Sequence, residues 1–380
     1  MYDEIGRREF MAAAAAAVVA GVGAPFLSQV GGLDSPLPPV SGTLRERANR
    51  KGLLCGTAVA APDLAKDALL RKALTVDANV LVSENELKWS RIQRNPDGSF
   101  DFTEAEKIYD FAVANGMAMR GHNLAWWEAK PAWAVERVAG MSASQTGDFL
   151  SKYITDVVGH WRGKLIQWDV VNEPIGAKDL ILDKMFGPKL GEQYIDLAFE
   201  ATAAADPSAL RVLNQDLIAQ DWWYQERQRD STLRLLERMM KRGAKIQCLG
   251  FEAHLTTSLG LSETKWRHFL DEVTGMGLKL MVTELDVDDR GTLGSVATRD
   301  EQCAALAKGL LDIMLSYPAC LGVLTWGPVD RYSWLRKMAN RQRKDNAPLR
   351  PTPRDNNYQP KPLWRAIASA LDQAAPRPAL

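Results

Sequence analysis

Short apolar runs recur along most of the chain, and stretches with the periodicity of amphipathic helices separate them. The apolar runs occupy residues 54–59, 79–84, 117–126, 166–173, 210–215, 248–255, 278–287 and 320–327. The helical stretches occupy residues 103–115, 144–159, 191–205, 223–242, 262–276, 299–317 and 362–371. Because strands that alternate with helices form parallel βαβ units, the pattern predicts an α/β protein.

The number and character of the apolar runs favour a closed barrel. Eight runs that are apolar throughout fit strands buried on both faces, as in a (β/α)8 or TIM barrel. The alternative is a doubly wound open sheet, which normally carries a glycine-rich phosphate loop after its first strand. Residues 56–62 read Gly-Thr-Ala-Val-Ala-Ala-Pro and lack that loop. We therefore expect one barrel domain over residues 42–375.

The first 41 residues have the features of an export signal and a leader. Arg7 and Arg8 precede a run rich in alanine, valine and glycine over residues 11–24, as in a twin-arginine signal. That run is too short and too weakly apolar for a membrane anchor, which needs about 20 strongly apolar residues. The Gly/Pro/Ser-rich residues 31–41 are typical of a flexible leader. We expect export to the periplasm or out of the cell, with no membrane attachment afterwards.

Composition excludes several classes of protein. The 380-residue chain has 47 Lys+Arg and 47 Asp+Glu, so it lacks the basic excess that nucleic-acid binding needs. Its four cysteines are too few for a disulfide scaffold and fit no zinc spacing, so we expect mostly free, buried thiols. Twelve tryptophans can fill a core, but they can also stack on flat ligands such as sugar rings.

Polar side chains gather where the predicted strands end. They are Glu84, His122, Trp126, Asn172, Glu173, Glu252, His254, Glu284, Asp286 and Trp326. In a (β/α)8 barrel the carboxyl ends of the strands form one rim, which carries the active site. A lone strand-end glutamate is commonly a satisfied ion pair, whereas packing alone does not explain a whole set on one rim.

Two of these residues, Glu173 and Glu284, have the chemistry of a catalytic carboxylate pair. They belong to the fourth and seventh predicted strands and would face each other across the barrel mouth. Such a pair suits glycoside hydrolysis, in which one carboxyl group protonates the leaving oxygen and the other attacks the sugar or activates water. Their environments must differ so that their pKa values separate. Asn172, beside Glu173, can hydrogen-bond a sugar 2-hydroxyl.

Six motifs follow one another along the chain in an order that is strongly specific. They are Glu84-Asn-Glu-Leu-Lys-Trp89, Arg120-Gly-His-Asn-Leu-Ala-Trp126, Trp168-Asp-Val-Val-Asn-Glu-Pro174, Thr283-Glu-Leu-Asp-Val287, Thr325-Trp-Gly327 with Asp330-Arg-Tyr-Ser-Trp334, and Asn357-Tyr-Gln-Pro-Lys-Pro362. Over roughly residues 45–372 the series resembles glycoside hydrolase family 10, the endo-1,4-β-xylanases, in the clan of retaining (β/α)8 hydrolases. Asn-Glu-Pro alone is shared across that clan.

The resemblance implies a role for each matched position. Glu284 would be the nucleophile and Glu173 the general acid/base. Residues in supporting roles would be His254, Asp286, Asn172 and Glu252, the first two holding Glu284 ionised. Residues that bind the substrate would be Glu84, Asn85, Lys88, His122, Trp126, Trp326 and Trp334.

The resemblance also implies the reaction and its partners. The protein would be an exported, retaining endo-1,4-β-xylanase that hydrolyses internal bonds of xylan by double displacement. Its partner would be xylan or a xylo-oligosaccharide, it would need no metal or other cofactor, and it would be a monomer. Two alternatives stay open: a retaining β-glycanase of the same clan for another or decorated polysaccharide, and a catalytically weakened carbohydrate-binding barrel.

Three departures from the family pattern put the preferred polymer in doubt. Trp127 stands where the family usually has His, and Glu128 and Ala129 follow where polar sugar-binding residues are usual. After the fifth strand the chain reads Asn214-Gln-Asp-Leu217 in place of the usual Asn-Asp-Tyr-Asn. Glu252 replaces Gln. It could stay protonated as a substitute for the amide donor, pair with Lys88 or a charged substrate, weaken or specialise catalysis, or be a tolerated variation with a local partner.

Overall fold

Eight parallel strands close into a barrel in the computed structural model, which describes residues 42–338 and 341–378. The strands are β1 (Leu54–Val59), β2 (Val80–Ser83), β3 (Ala118–Trp126), β4 (Gln167–Asn172), β5 (Leu210–Gln215), β6 (Cys248–Phe251), β7 (Lys279–Asp288) and β8 (Cys320–Thr325). Neighbours in the chain are neighbours in the sheet, and β8 pairs with both β7 and β1. The predicted (β/α)8 fold is confirmed, while the predicted signal and leader, residues 1–41, lie outside the described residues.

Helices surround the barrel. Those of eight residues or more are Leu44–Lys51, Ala68–Asp77, Thr103–Ala114, Ala132–Ala139, Ala143–His160, Gln193–Ala205, Trp223–Arg242, Glu263–Gly275, Val296–Ser316 and Pro362–Gln373. The shorter ones are Ala61–Lys66, Trp89–Ile92, Gly187–Leu190 and Trp334–Lys337, with 3-10 turns at Ala177–Asp179, Asp289–Gly291 and Asp330–Tyr332. A two-stranded hairpin, Ile175–Gly176 with Leu180–Ile181, follows β4.

The alternation of side chains along each strand divides the core in two. On β2, for example, Val80 and Val82 point into the barrel, where they pack with Met281 and Leu324. Leu81, between them, packs in the larger apolar layer between strands and helices. Because successive side chains point to opposite sides, a strand buried on both faces is apolar at most positions. This is why the strands could be recognised as continuous apolar runs.

The structure differs from the sequence prediction in several places, among them the helices Leu44–Lys51 and Ala132–Ala139, which were not predicted. Two helices lie between β1 and β2 where none was predicted, and Asp67 caps the second by accepting from the backbone N–H groups of Leu69 and Leu70. The predicted strand 248–255 is two strands, since β6 ends at Phe251. A short strand, His254–Thr256, then pairs with the end of β7. This break sets His254 directly opposite Asp286.

The four cysteines are buried and free, as expected from their number and spacing. None of the helices in the described ranges combines the length and the apolar character needed to cross a bilayer.

Candidate active site

A cleft of about 660 Å³ opens at the carboxyl ends of the strands. Eleven of the residues proposed from the sequence line it: Lys88, His122, Trp126, Asn172, Glu173, Glu252, His254, Glu284, Asp286, Trp326 and Trp334. The cleft is therefore built from the ends of β3, β4, β6, β7 and β8 and from the loops that follow. Glu84 and Asn85 are not among its lining residues, although Asn85 accepts a hydrogen bond from Lys88 Nζ at 3.2 Å.

A chain of hydrogen bonds holds Glu284. His254 donates through Nε2 to Glu284 Oε2 at 3.2 Å and through Nδ1 to Asp286 Oδ1 at 2.9 Å. Trp334 donates its indole N–H to the other oxygen of Asp286 at 2.7 Å. Glu284 and Asp286 are two residues apart on β7, so strand alternation turns both side chains to the cleft. The imidazole between them is thereby fixed in position and in orientation.

The charges in this series of hydrogen bonds favour an ionised Glu284. Burial by itself raises the pKa of this carboxyl group, but the charge of His122 and the hydrogen bond and charge of His254 outweigh it and hold the pKa below the usual value. Burial disfavours the charged ring of His254, yet Asp286 and Glu284 raise the pKa of His254 to about 10. A cationic ring between two carboxylates therefore maintains a charged oxygen in a buried site.

His122 is held by a second buried network. Its Nδ1 lies 2.9 Å from Asp169 Oδ2 and 3.8 Å from Glu284 Oε1. The other oxygen of Asp169 pairs with Arg120, and both side chains are fully buried. Adjacent positions on β3 and β4 supply these groups, since His122 pairs in register with Asp169. The same ring nitrogen, Nδ1, thus faces both Asp169 and Glu284.

Glu173 stands at the exit of β4 in a strained backbone conformation. Its N–H bonds the carbonyl of Asn214 on β5 at 2.8 Å, and its φ is then +46°. This left-handed conformation is costly for a residue with a side chain and is typical of functional sites. The indole N–H of Trp127 donates to Glu173 Oε2 at 2.9 Å. The family departure at position 127 therefore contacts the proposed acid/base directly.

Asn214, which the sequence analysis did not propose as a site residue, joins the network at its centre. Its amide nitrogen lies 2.9 Å from each of three oxygens, those of Asn172, Glu252 and Glu284. Its amide oxygen lies 2.7 Å from the hydroxyl of Thr283. The signal for Asn214 was a polar residue near the end of an otherwise apolar strand. That signal does not reveal which neighbours the side chain will meet.

Glu252 is a third buried carboxyl group in the cleft. Its hydrogen bond goes to Asn214, and its Oε2 lies 3.9 Å from His254 Nε2. Burial, followed by the negative charges of Glu284 and Glu173, raises the pKa of Glu252 well above its usual range. Lys88, suggested as a partner from the sequence, instead bonds Asn85 and lies over the ring of Trp126.

The departure after β5 also reaches the cleft. Asp216 lines it, and its Oδ1 accepts hydrogen bonds from the side-chain amides of Gln215 at 3.1 Å and Gln228 at 3.0 Å. Leu217, the next residue, has a left-handed φ of +48° and lines the cleft as well. This loop therefore presents a fixed carboxylate and an apolar side chain to a bound ligand.

Aromatic rings form one wall of the cleft. Trp326 meets His122 edge to face with 5.0 Å between ring centroids. The ring of Trp334 lies 5.0 Å from that of His254. Flat apolar rings next to polar donors suit a sugar, which has both apolar C–H faces and hydroxyl groups.

One cluster among the described side chains has donor atoms close enough for a metal ion. Glu252, His254 and Glu284 each present an atom within 4.8 Å of the others. However, both ring nitrogens of His254 are engaged with carboxylates, and a protonated imidazole has no lone pair for a metal. We therefore interpret the cluster as a hydrogen-bonded network. That the reaction needs no metal stays a prediction.

The fold and the site together define a class, a (β/α)8 barrel enzyme with several carboxyl groups at its catalytic rim. The family model for glycosyl hydrolase family 10 matches residues 43–370. The chain therefore belongs to that family and is a glycoside hydrolase.

Relatives and solved structures agree with this assignment. The chain is 28% identical over 301 residues to endo-1,4-beta-xylanase 5 of Pyricularia oryzae. The match spans 79% of this chain and 71% of that protein. Native xylanase 10B of Thermotoga maritima is similar with a TM-score of 0.78 and 27% identity, covering 87% of this chain and 98% of that one. Xylanase 10B of Thermotoga petrophila in complex with xylobiose has the same TM-score and identity, and the match covers 89% of this chain and 99% of that one.

The charge on His254 depends on Asp286, which gives a test of the network. In Asp286→Asn the ring loses its anionic partner, so we expect the pKa of His254 to fall from about 10 towards the usual value of about 6.5. Titration of the imidazole resonances by NMR measures this, since the chain has four histidines. Asp288→Asn is the matched control, because Asp288 pairs with Arg290 and Arg341. An unchanged titration in Asp286→Asn would contradict the network.

Proposed function

We propose that the protein is an exported, retaining endo-1,4-β-xylanase in which Glu284 is the nucleophile and Glu173 the general acid/base. The observation that carries the proposal is the contrast between the two carboxyl groups. Glu284 is held by a cationic His254 that Asp286 supports, whereas Glu173 sits in a strained turn against an indole donor. Two carboxyl groups in different environments are what separate acid and nucleophile roles require.

The first step would form a covalent intermediate. Glu284 attacks the anomeric carbon while Glu173 transfers its proton to the departing glycosidic oxygen. The bond from the anomeric carbon to that oxygen breaks as the glycosyl ester with Glu284 forms. The hydrogen bond from His254 keeps the attacking carboxylate ionised and aimed.

The second step would release the sugar with its configuration retained. Glu173, now a carboxylate, removes a proton from water, and the resulting hydroxide attacks the anomeric carbon from the opposite face. The bond to Glu284 breaks and the carboxylate is regenerated. The indole N–H of Trp127 stabilises the ionised Glu173 that this step needs.

The substrate assignment draws on the relatives as well as on the cleft. The similar proteins are named endo-1,4-beta-xylanases, and one similar structure is a complex with xylobiose. Trp326 and Trp334 supply apolar ring faces for a xylose chain. A second candidate, a retaining β-glycanase for another or decorated polysaccharide, is favoured by the departures Trp127 and Asp216, since both line the cleft.

Cleavage of defined polymers tests the function. We expect reducing-sugar release from glucuronoxylan and much less from mannan or soluble cellulose. The first product should be the β-anomer, because retention preserves the configuration of the β-1,4 bond that is cleaved. Glu284→Ala removes the nucleophile and should reduce turnover by on the order of a thousandfold or more. Glu237→Gln, on the exposed side of an outer helix, is the matched control and should keep full activity. Cleavage of mannan or cellulose instead would favour the second candidate, and inversion would exclude the mechanism.

Trp127 gives a test of the acid/base role. Trp127→Phe keeps a ring but removes the donor to Glu173, so kcat/KM on xylan should fall about 10- to 100-fold, as for a hydrogen bond to a charged group. An aryl xyloside with a strongly acidic phenol leaves without protonation, so cleavage of its glycosidic bond should be affected far less. Trp133→Phe is the control, since its indole bonds the backbone of Gln93. Equal losses on both substrates would mean that Trp127 acts through binding alone.

Export by the twin-arginine route is proposed from Arg7 and Arg8 and the apolar run that follows. Because the pathway reads the paired guanidinium groups, Arg7→Lys with Arg8→Lys should leave the protein inside the cell. Cell fractionation with an antibody to the barrel measures this. Lysine substitution at Arg45 and Arg50, in a helix of the barrel domain, is the control and should not change export. Export of the double variant at the normal level would contradict the proposal.

A further inference from the structure

The side-chain amide of Asn214 has too few hydrogens for the acceptors around it. Its nitrogen lies 2.9 Å from oxygens of Asn172, Glu252 and Glu284. An amide nitrogen carries two hydrogens. Two hydrogen bonds of normal geometry can form, so one of the three oxygens receives no hydrogen bond from Asn214, and an unsatisfied oxygen is costly in a buried site.

The orientation of this amide is determined by its surroundings. If the amide were rotated by half a turn, its oxygen would face the three acceptor oxygens, and its nitrogen would face the hydroxyl of Thr283. Three contacts between acceptors would replace three between donor and acceptor. The shortage of donors around Asn214 is therefore a property of the site, and it costs least when one of the two carboxyl groups is neutral, because the carbonyl oxygen of an acid loses less than a carboxylate oxygen when it lacks a donor.

The two carboxyl groups compete unequally for positive charge. His254 donates to Glu284 at 3.2 Å, whereas its Nε2 lies 3.9 Å from Glu252 Oε2, beyond hydrogen-bond length. His122 also lies near Glu284, with 3.8 Å between Nδ1 and Oε1. The negative charge is therefore best placed on Glu284, which leaves Glu252 as the group that carries the proton.

We propose that Glu252 works as a neutral carboxylic acid, and that its O–H is a hydrogen-bond donor to a sugar hydroxyl held over Glu284. The proposal rests on the proposed function for its substrate and on the geometry of Asn214 for its proton. Glu252 Oε1 accepts from Asn214, so the proton resides on Oε2, and Glu252 lines the cleft. Glu252 is thereby a donor at a position where an ionised carboxylate could only accept.

The charged groups that face Glu252 support the neutral form. They come from every strand end around it: Asp169 and Glu173 of β4 and its exit, Asp216 after β5, His254 after β6 and Glu284 of β7. Four of these five are carboxyl groups. Together with burial, which is the largest effect, their charges raise the pKa of Glu252 well above the usual range.

The proton on Glu252 has a consequence for stability that needs no substrate. An unfolded glutamate loses its proton near pH 4.3, whereas the folded protein keeps it to a higher pH. Stability therefore falls with rising pH in that window, because the unfolded chain binds fewer protons than the folded one. The effect is lost in Glu252→Gln, whose amide keeps the shape and the donor but cannot ionise.

The first experiment compares the unfolding of the wild type and Glu252→Gln by denaturant at several pH values. We expect the folding equilibrium constant of the wild type, relative to the variant, to fall with rising pH above about pH 5, by up to about tenfold per pH unit for as long as the folded carboxyl group keeps its proton. A ratio that does not change with pH would overturn the proposal. Glu237→Gln, which removes an exposed carboxyl group from an outer helix, is the matched control.

Infrared spectroscopy supplies a measurement that does not require reversible unfolding. The difference spectrum between wild type and Glu252→Gln at neutral pH should contain the carbonyl band of a protonated carboxylic acid. A carboxylate band in its place would overturn the proposal. Both measurements use the free enzyme, so they decide the state of Glu252 even if xylan proves not to be the substrate.

The pH profile of kcat/KM then tests the role in the reaction. The alkaline limb reports groups of the free enzyme that must be protonated. At pH values where the infrared band of the protonated Glu252 has disappeared, both Glu173 and Glu252 have lost a required proton, so log kcat/KM of the wild type should fall with a slope approaching −2 and that of Glu252→Gln with a slope of −1. A slope of −1 in both proteins over that pH range would overturn the role as donor to the substrate.

Discussion

The site depends on keeping one buried carboxylate charged. Glu284 is 3% exposed, and burial by itself favours its neutral form. The hydrogen-bonded series from Trp334 through Asp286 to His254 reverses that preference, because it delivers a cation to one oxygen of Glu284. The break between β6 and the short strand at His254 makes this geometry possible, since it brings the ring into register with Asp286.

Several carboxyl groups in one cleft can coexist because each has a different partner. Asp169 pairs with Arg120, Asp216 is bonded by two glutamine amides, and Glu173 accepts from an indole. A charged donor lowers a carboxyl pKa more than a neutral one does, and burial without a charged donor raises it. The barrel creates these differences because every strand contributes to the rim at its own height and angle.

The departures from the family pattern are concentrated on one side of the cleft. Trp127, Asp216 and Leu217 follow β3 and β5 and flank the exit of β4, where Glu173 stands. The network around Glu284 draws on β3, β5 and β7 and on the segments after β6 and β8, and it keeps the residues of the family motifs apart from Glu252.

The sequence by itself determined the barrel and most of the rim. Continuous apolar runs identify strands buried on both faces, and polar residues at their ends identify the catalytic edge, because both depend on local alternation along the strand. The boundaries of the strand at residues 248–255 and the two helices before β2 were missed, since these depend on pairing and capping partners elsewhere.

Only the tertiary structure decided how the rim residues act on one another. Asn214 meets Glu252 and Glu284 across 38 and 70 residues of chain, and Trp127 meets Glu173 across 46. No periodicity within a segment encodes such contacts. The sequence left the protonation of Glu252 open among several alternatives, because it follows from burial and from the charges and distances around it, which exist only once the barrel has closed.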